Sequence, residues 1–201
     1  MPKTSSTLTG GTGDVNPQWY RLAIPSQPQV SASAGTVVVG NATVTYPTPV
    51  PKFPEKKDRA IVMELLKIMW APDQVFNPVS AQAGKSTLTA QLLTASSPTV
   101  IPSNDGRVVD FCIINEGVSV ATGGPVFFGE VSTLPIIHDL TDETGHGVLI
   151  ATDNITLVAQ AAATGIGGSA TVTGWQCVAF LLYRFKEISL AEYIGIVQSQ
   201  Q

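Results

Sequence analysis

Charge is what this chain most lacks: Asp, Glu, Lys and Arg make up 13% of its 201 residues, about half the roughly 25% of an ordinary soluble domain. The shortfall is made up by Thr, Ser, Gly, Ala and Gln, small neutral residues that can be buried against other protein without stranding a charge. Long apolar runs are missing too. The densest, from Cys177 to Tyr183, is far below the roughly 20 residues of a spanning helix, so no transmembrane segment is expected. The opening Met1-Pro2-Lys3-Thr4-Ser5-Ser6 leads into polar residues, with no apolar stretch of a secretory signal. Cysteine is limited to Cys112 and Cys177. Both lie in strand-like apolar runs, where a free thiol acts as a small hydrophobe; a single bridge between them is the other reading, since two residues define no framework.

Basic charge is scarce where nucleic acid would need it. The formal net charge is -4. Residues 1 to 59 hold Lys3, Arg21, Lys52, Lys56, Lys57 and Arg59 against Asp14, Glu55 and Asp58, a net +3, which leaves -7 for the remainder. An acidic body does not release counterions from phosphates, so strong direct nucleic-acid binding is not expected.

What the chain does have is proline at one end and β-prone runs at the other. Eight of its fourteen prolines, from Pro2 to Pro54, fall in residues 1 to 58. Proline at this density excludes interior helix and central strand. Residues 1–58 are therefore expected as an extended arm over the body or a neighbour, with strand-like pieces at Trp19 to Ile24 and at Thr36 to Tyr46 around a Gly40-Asn41 turn. Residues 59–201 form the expected body. Its runs at Ala60 to Trp70, Thr87 to Ala95, Arg107 to Asn115, Pro125 to Thr133, Gly147 to Ala151, Ile155 to Ala161 and Ala170 to Ile188 are separated by turn signals, among them Ala71-Pro72-Asp73 and Asp153-Asn154. Seven or eight such strands predict an all-β sandwich or barrel.

Two of these strands carry further information. Leu88, Ala90 and Leu92 alternate with Thr87, Thr89 and Gln91, the pattern of one dry and one wet face. The last strand differs: Trp175, Cys177, Ala179, Leu181, Tyr183 and Phe185 fill one face, while Val178, Phe180 and Leu182 make the other apolar as well. Something must cover that second face, either the N-terminal arm or a neighbouring subunit. Then Ser189-Leu190-Ala191-Glu192 reads as a capping box, and Leu190, Tyr193, Ile194 and Val197 follow at helical spacing. A short helix over about 189–198 is expected, its stripe docked on its own body or on a neighbour.

Candidate chemistry is thin. Ala83-Gly84-Lys85-Ser86-Thr87 resembles the end of a phosphate-binding loop, yet Val79 stands where the motif needs glycine and Thr87 opens a strand. His138, Asp139, Asp142 and His146 gather ligand-type side chains in one acidic segment, but their spacing matches no metal motif and a solvated loop is the first reading. No nucleophile elbow is present, and Glu64, Asp110 and Glu130 read as exposed residues of half-buried strands. No enzyme activity, cofactor or metal is expected.

An extended Pro-rich arm, about eight strands, a neutral surface and a terminal helix together resemble the single jelly-roll coat proteins of icosahedral viruses. The tail from Glu187 through Ser189-Leu190-Ala191-Glu192-Tyr193-Ile194 to Gln201 also resembles the ends of small virion-like proteins. The resemblance implies an eight-stranded jelly-roll β-sandwich and a virion structural protein of the capsid that binds copies of itself, with other capsid proteins as further partners. One departure matters: many RNA-virus coat proteins carry a strongly basic arm, and this one is only +3, which favours a shell around DNA, a shell over an internal membrane, or an inner layer. Val178, Phe180, Leu182, Leu190, Tyr193, Ile194 and Val197 are the expected assembly contacts. The alternative is a trimeric fibre-head or lectin-like module touching a receptor or glycan through the loop from His138 to His146.

Overall fold

A computed structural model describes residues 17–50, 59–78, 84–121, 124–129, 135–166 and 169–200, with backbone alone at 75–78, 118–121 and 124–129. Glu130 and the outer parts of the expected arm lie outside these residues. Two antiparallel sheets face each other. The first has the order β1 (Gln18–Ile24), β11 (Ala170–Ser189), β4 (Arg59–Pro78), β8 (Ile136–Asp139), with β2 (Val30–Ala32) also on β11 and β9 (Val148–Ile150) also on β4. The second runs β3 (Val37–Pro47), β10 (Asn154–Gly165), β5 (Gly84–Leu93), β6 (Val108–Ala121), β7 (Gly124–Gly129).

Let β8 and β9 share one position, set aside the short β2 and the outermost strand β7, and number the remaining eight strands by chain order. The two sheets then read 1-8-3-6 and 2-7-4-5, the double Greek key of a jelly roll. The eight-stranded jelly-roll sandwich is thus present in the strand order itself.

Alternation builds the core. Leu88, Ala90 and Leu92 from β5 meet Trp175, Cys177, Ala179 and Leu181 from β11 across the gap, with Ile155, Leu157 and Ala159 from β10 and Met63, Leu65, Ile68 and Trp70 from β4. Cys112 and Cys177 are both free and buried in this layer, and burial pushes the Cys112 thiol up to about 12 and that of Cys177 higher still.

Three expectations are corrected. The described part of the N-terminal segment is not an arm: Gln18–Ile24 pairs with Tyr183 to Cys177, and Val37–Pro47 pairs with Thr164 to Asn154, so it supplies the first two strands of the sandwich. Its prolines stand outside those strands or at their end, at Pro17, Pro25, Pro28, Pro47 and Pro49, where no ladder donor is lost. Gly40-Asn41 is no turn. A Cβ on Gly40 would sit 2.7 Å from Val30 and 3.3 Å from the Trp175 ring, so glycine is there for close packing within a continuous strand. Finally, β4 continues through Ala71-Pro72-Asp73. Among the described residues its pairing with β8 runs from Lys67 to Trp70, so Pro72 lies past the last described pair of that ladder.

The terminal helix α1 (Leu190–Ser199) begins where expected, with the Ser189 hydroxyl accepting from the Glu192 N–H at 3.2 Å. It docks on its own body: Tyr193, Ile196 and Val197 pack on Val62, Ala151 and Ile188. Gln200 then locks the end, accepting from the Ala151 N–H (3.1 Å) and donating to the Leu149 carbonyl (2.6 Å) as a strand neighbour would.

Candidate functional site

The outward faces of the two sheets are the broadest surfaces the fold offers, and both are poor in charge. On the first sheet the register aligns side chains in rows. Phe180 lies between Arg21 of β1 and Met69 of β4, with Ile137 of β8 beyond; Leu182 lies between Trp19 and Lys67, with Asp139 beyond; Val178 lies between Ala23 and Ala71. Trp19, Leu182, Phe180, Met69 and Ile137 thus form one apolar band, and Trp19 and Ile137 are 56% and 57% exposed. Arg21 and the Lys67–Asp139 pair (3.6 Å) stand at its rim. A contiguous apolar patch with a polar rim is the usual mark of a protein-binding surface.

The N-terminal residues do not cover this band as one expectation had it. Among the described residues they join β11 edge to edge, which leaves Val178, Phe180 and Leu182 half-buried.

The outward face of the second sheet is flat and neutral. Its rows are Val39, Ala162, Thr87, Asn115 and then Asn41, Gln160, Thr89, Ile113. Side-chain hydrogen bonds tie Gln160 to Asn41 and Thr87 to Asn115, both at 2.8 Å. Phe111 and Ile113 are exposed there. Lys85 is the one charge among the described outward positions of β3, β10 and β5 and at Phe111, Ile113 and Asn115 of β6. The loop after β5 folds back over part of the sheet: Gln91 donates to Ile101 O and accepts from its N–H, and Thr43 donates to Ser97 O, which buries Val158 on a face that would otherwise be wet.

Between the apolar band and the helix sits a charged cluster that sequence reasoning placed on the surface. Glu64 is fully buried. Arg184 Nε donates to its Oε2, the Gly147 N–H to its Oε1 at 3.1 Å, and Lys186 Nζ lies 3.4 Å and His146 Nδ1 3.3 Å from Oε1. Burial alone would raise its pKa, but these donors and cations outweigh it and hold the carboxyl below its ordinary value. Asp110 is likewise drawn in, bridging the two sheets: it accepts from Trp70 Nε1 at 2.8 Å and from His138 Nδ1 at 2.8 Å. No spacing along the chain could reveal either contact, because Glu64 and Arg184 meet only through the pairing of β4 with β11, and Asp110 and His138 only through the packing of one sheet on the other.

The four ligand-type residues of the acidic segment are not brought together. His138 points inward to Asp110, and Asp139 points outward to Thr141 and Lys67. Asp142 caps its own loop, accepting from the Thr144 and His146 N–H groups, while the His146 ring faces Glu64. The His146 N–H and Thr144 groups lower the Asp142 pKa, and the Thr141 hydroxyl and N–H lower that of Asp139. The expected assembly residues divide into three sets. Val178, Phe180 and Leu182 line the apolar band, Tyr193 and Val197 face the protein's own core, and Leu190 and Ile194 are exposed at 46% and 48%. Trp19, Met69 and Ile137 were missed, since their shared row with Phe180 and Leu182 requires the register of four strands.

No protein-family model matches the chain, and no curated protein does. Among solved structures it is similar to the VP1 pentamer of Washington University polyomavirus, at 13% identity and a TM-score of 0.46 over 85% of this chain and 94% of that one. It is similar to the VP1 pentamer of human polyomavirus 6 (11%, TM-score 0.46, 85% and 95%) and that of KI polyomavirus (14%, TM-score 0.45, 85% and 95%). The fold assignment rests on the strand order above.

Proposed function

We propose that this chain is a virion structural protein that assembles with copies of itself into an icosahedral capsid shell. The observation that carries the reading is the pair of outward faces: an apolar band on one sheet and a neutral Thr/Asn/Gln/Val face on the other. Burying either strands almost no charge, so association costs little desolvation and gains the area of Trp19, Phe180, Leu182 and Ile137. A protein that works alone has no use for two such faces, whereas a subunit with neighbours on both sides has. That Glu64 and Asp110 accept from the fold's own donors supports a structural role for these two carboxylates.

Of the residues expected to mediate assembly, Val178, Phe180 and Leu182 act through the band, joined by Trp19, Met69 and Ile137. Leu190 and Ile194 act through the exposed side of the helix. Size-exclusion chromatography with light scattering tests the reading on the full chain. Oligomers that grow with concentration are expected, and a monomer that persists at high concentration would overturn it.

A further inference from the structure

Strand β3 is an eleven-residue sheet edge without a single charge, Val37-Val38-Val39-Gly40-Asn41-Ala42-Thr43-Val44-Thr45-Tyr46-Pro47. Proteins normally protect an edge of that length with a lysine, an inward charge or a bulge, because its free N–H and C=O groups recruit other strands. Three edge strands of the first sheet are guarded. β1 carries Arg21, and the Tyr46 hydroxyl occupies both the N–H and the C=O of Ala23 (2.9 and 2.7 Å). β8 and β9 are four and three residues long.

The ladder shows which groups of β3 are free. Gly165 N–H donates to Thr36 O at 3.0 Å and Thr48 N–H to Asp153 O at 2.9 Å, at the two ends of the pairing with β10. Antiparallel bonding alternates, so the even-numbered residues bond to β10 and Val37, Val39, Asn41, Thr43 and Thr45 turn their backbone groups outward. Among the described residues β10 is the one strand that pairs with β3. The free stretch ends at Pro47, which has no N–H and whose carbonyl accepts from the Tyr20 hydroxyl at 3.1 Å.

We propose that two copies of the chain join through β3, antiparallel about a two-fold axis at Asn41, making their second sheets continuous. The register follows from the outward groups. Odd residues must face odd residues, and an axis at Asn41, the centre of the span, uses all five: Val37 faces Thr45 of the copy, Val39 faces Thr43, and Asn41 faces itself, for about ten backbone bonds. A two-fold contact sets every residue near the axis against itself, so a charge there would meet its like; this edge has none. The Asn41 amide is both donor and acceptor, and since its Oδ1 already takes the Gln160 amide, its own N–H groups are left for the copy. The inference takes from the shell reading only that the occupant is a second copy.

Cysteine trapping on the full chain tests the contact. Directly opposed residues of a bonded antiparallel pair have Cα atoms about 5.5 Å apart, within the disulfide range of roughly 4.4–6.8 Å. Asn41→Cys should therefore give a covalent dimer under mild oxidation at least tenfold faster than Gln160→Cys. Gln160 neighbours Asn41 one strand further in, so two copies of it would lie about 14 Å apart. Cys112 and Cys177 are buried and do not compete. Mixing Val39→Cys with Thr43→Cys should cross-link as well, which keeps the test open if one variant folds poorly. Equal rates at positions 41 and 160, or no dimer from any of these variants, would overturn the inference. Shells without cross-linking would sink the β3 contact and leave the shell reading standing; cross-linked dimers that never grow larger would do the reverse.

Discussion

Glu64 is a carboxylate with no access to water, held by Arg184, Lys186 and the Gly147 N–H. Removing its charge takes from two partly buried cations the carboxylate they bond, the costly way to break such a group. Glu64→Gln should lower stability by about 3 kcal/mol at neutral pH, read as a shift of the urea midpoint. The pH dependence follows from the lowered folded-state pKa. The stabilisation is complete above the value of an unfolded glutamate, about 4.3, and is lost as pH falls through the folded value. The gap between wild type and Glu64→Gln should accordingly close on going from pH 6 to strongly acidic solution. A gap that is unchanged at low pH would contradict the ion cluster. Read along the chain, Glu64 looks like any polar residue of a half-wet strand, because what buries it are residues about 80 and 120 positions away, Gly147 and Arg184.

At the scale of elements, the helix separates two roles that its sequence pattern merges. Leu190, Tyr193, Ile194 and Val197 share one stripe by spacing, yet Tyr193 and Val197 pack on Val62, Ala151 and Ile188 while Leu190 and Ile194 stay exposed. Val197→Asp should cost the monomer about 2–3 kcal/mol by placing a charge against that cluster. Ile194→Asp should change monomer stability by no more than about 0.5 kcal/mol and weaken assembly. Thermal denaturation and light scattering on the two variants check the division, and equal destabilisation of the monomer by both would refute it. The helix and its cap were legible because capping is local: Ser189 and Glu192 are three residues apart. So was the buried face of β5. The strand character of Trp19 to Ile24 and Thr36 to Tyr46 was legible too, but their membership of the sheets was not. Proline density argued for an arm, and only the pairing with β11 and β10 shows that those prolines sit at strand ends. Gly40 misled for a related reason, since a glycine needed under Trp175 is indistinguishable in sequence from one needed for a turn.

For the whole molecule, the low charge of the chain resolves into two charge-poor faces on opposite sides of one jelly roll: Arg21 and the Lys67–Asp139 pair stand at the rim of one, and Lys85 is the one charge at the outward positions named on the other. Composition alone pointed to assembly; the register of four strands turned it into a specific surface made of Trp19, Met69, Ile137, Phe180 and Leu182. Phe180 stands at the centre of that surface and is only half-buried, so Phe180→Asp should leave the monomer folded, with an unchanged far-ultraviolet circular dichroism spectrum. In a subunit interface the same carboxylate would be desolvated without a partner. Negative-stain electron microscopy of wild type and Phe180→Asp under identical conditions is the most direct measurement. Closed shells of uniform diameter from wild type and dispersed small particles from the variant are predicted; wild-type protein that forms no shells, or a variant that forms them equally well, would contradict the account.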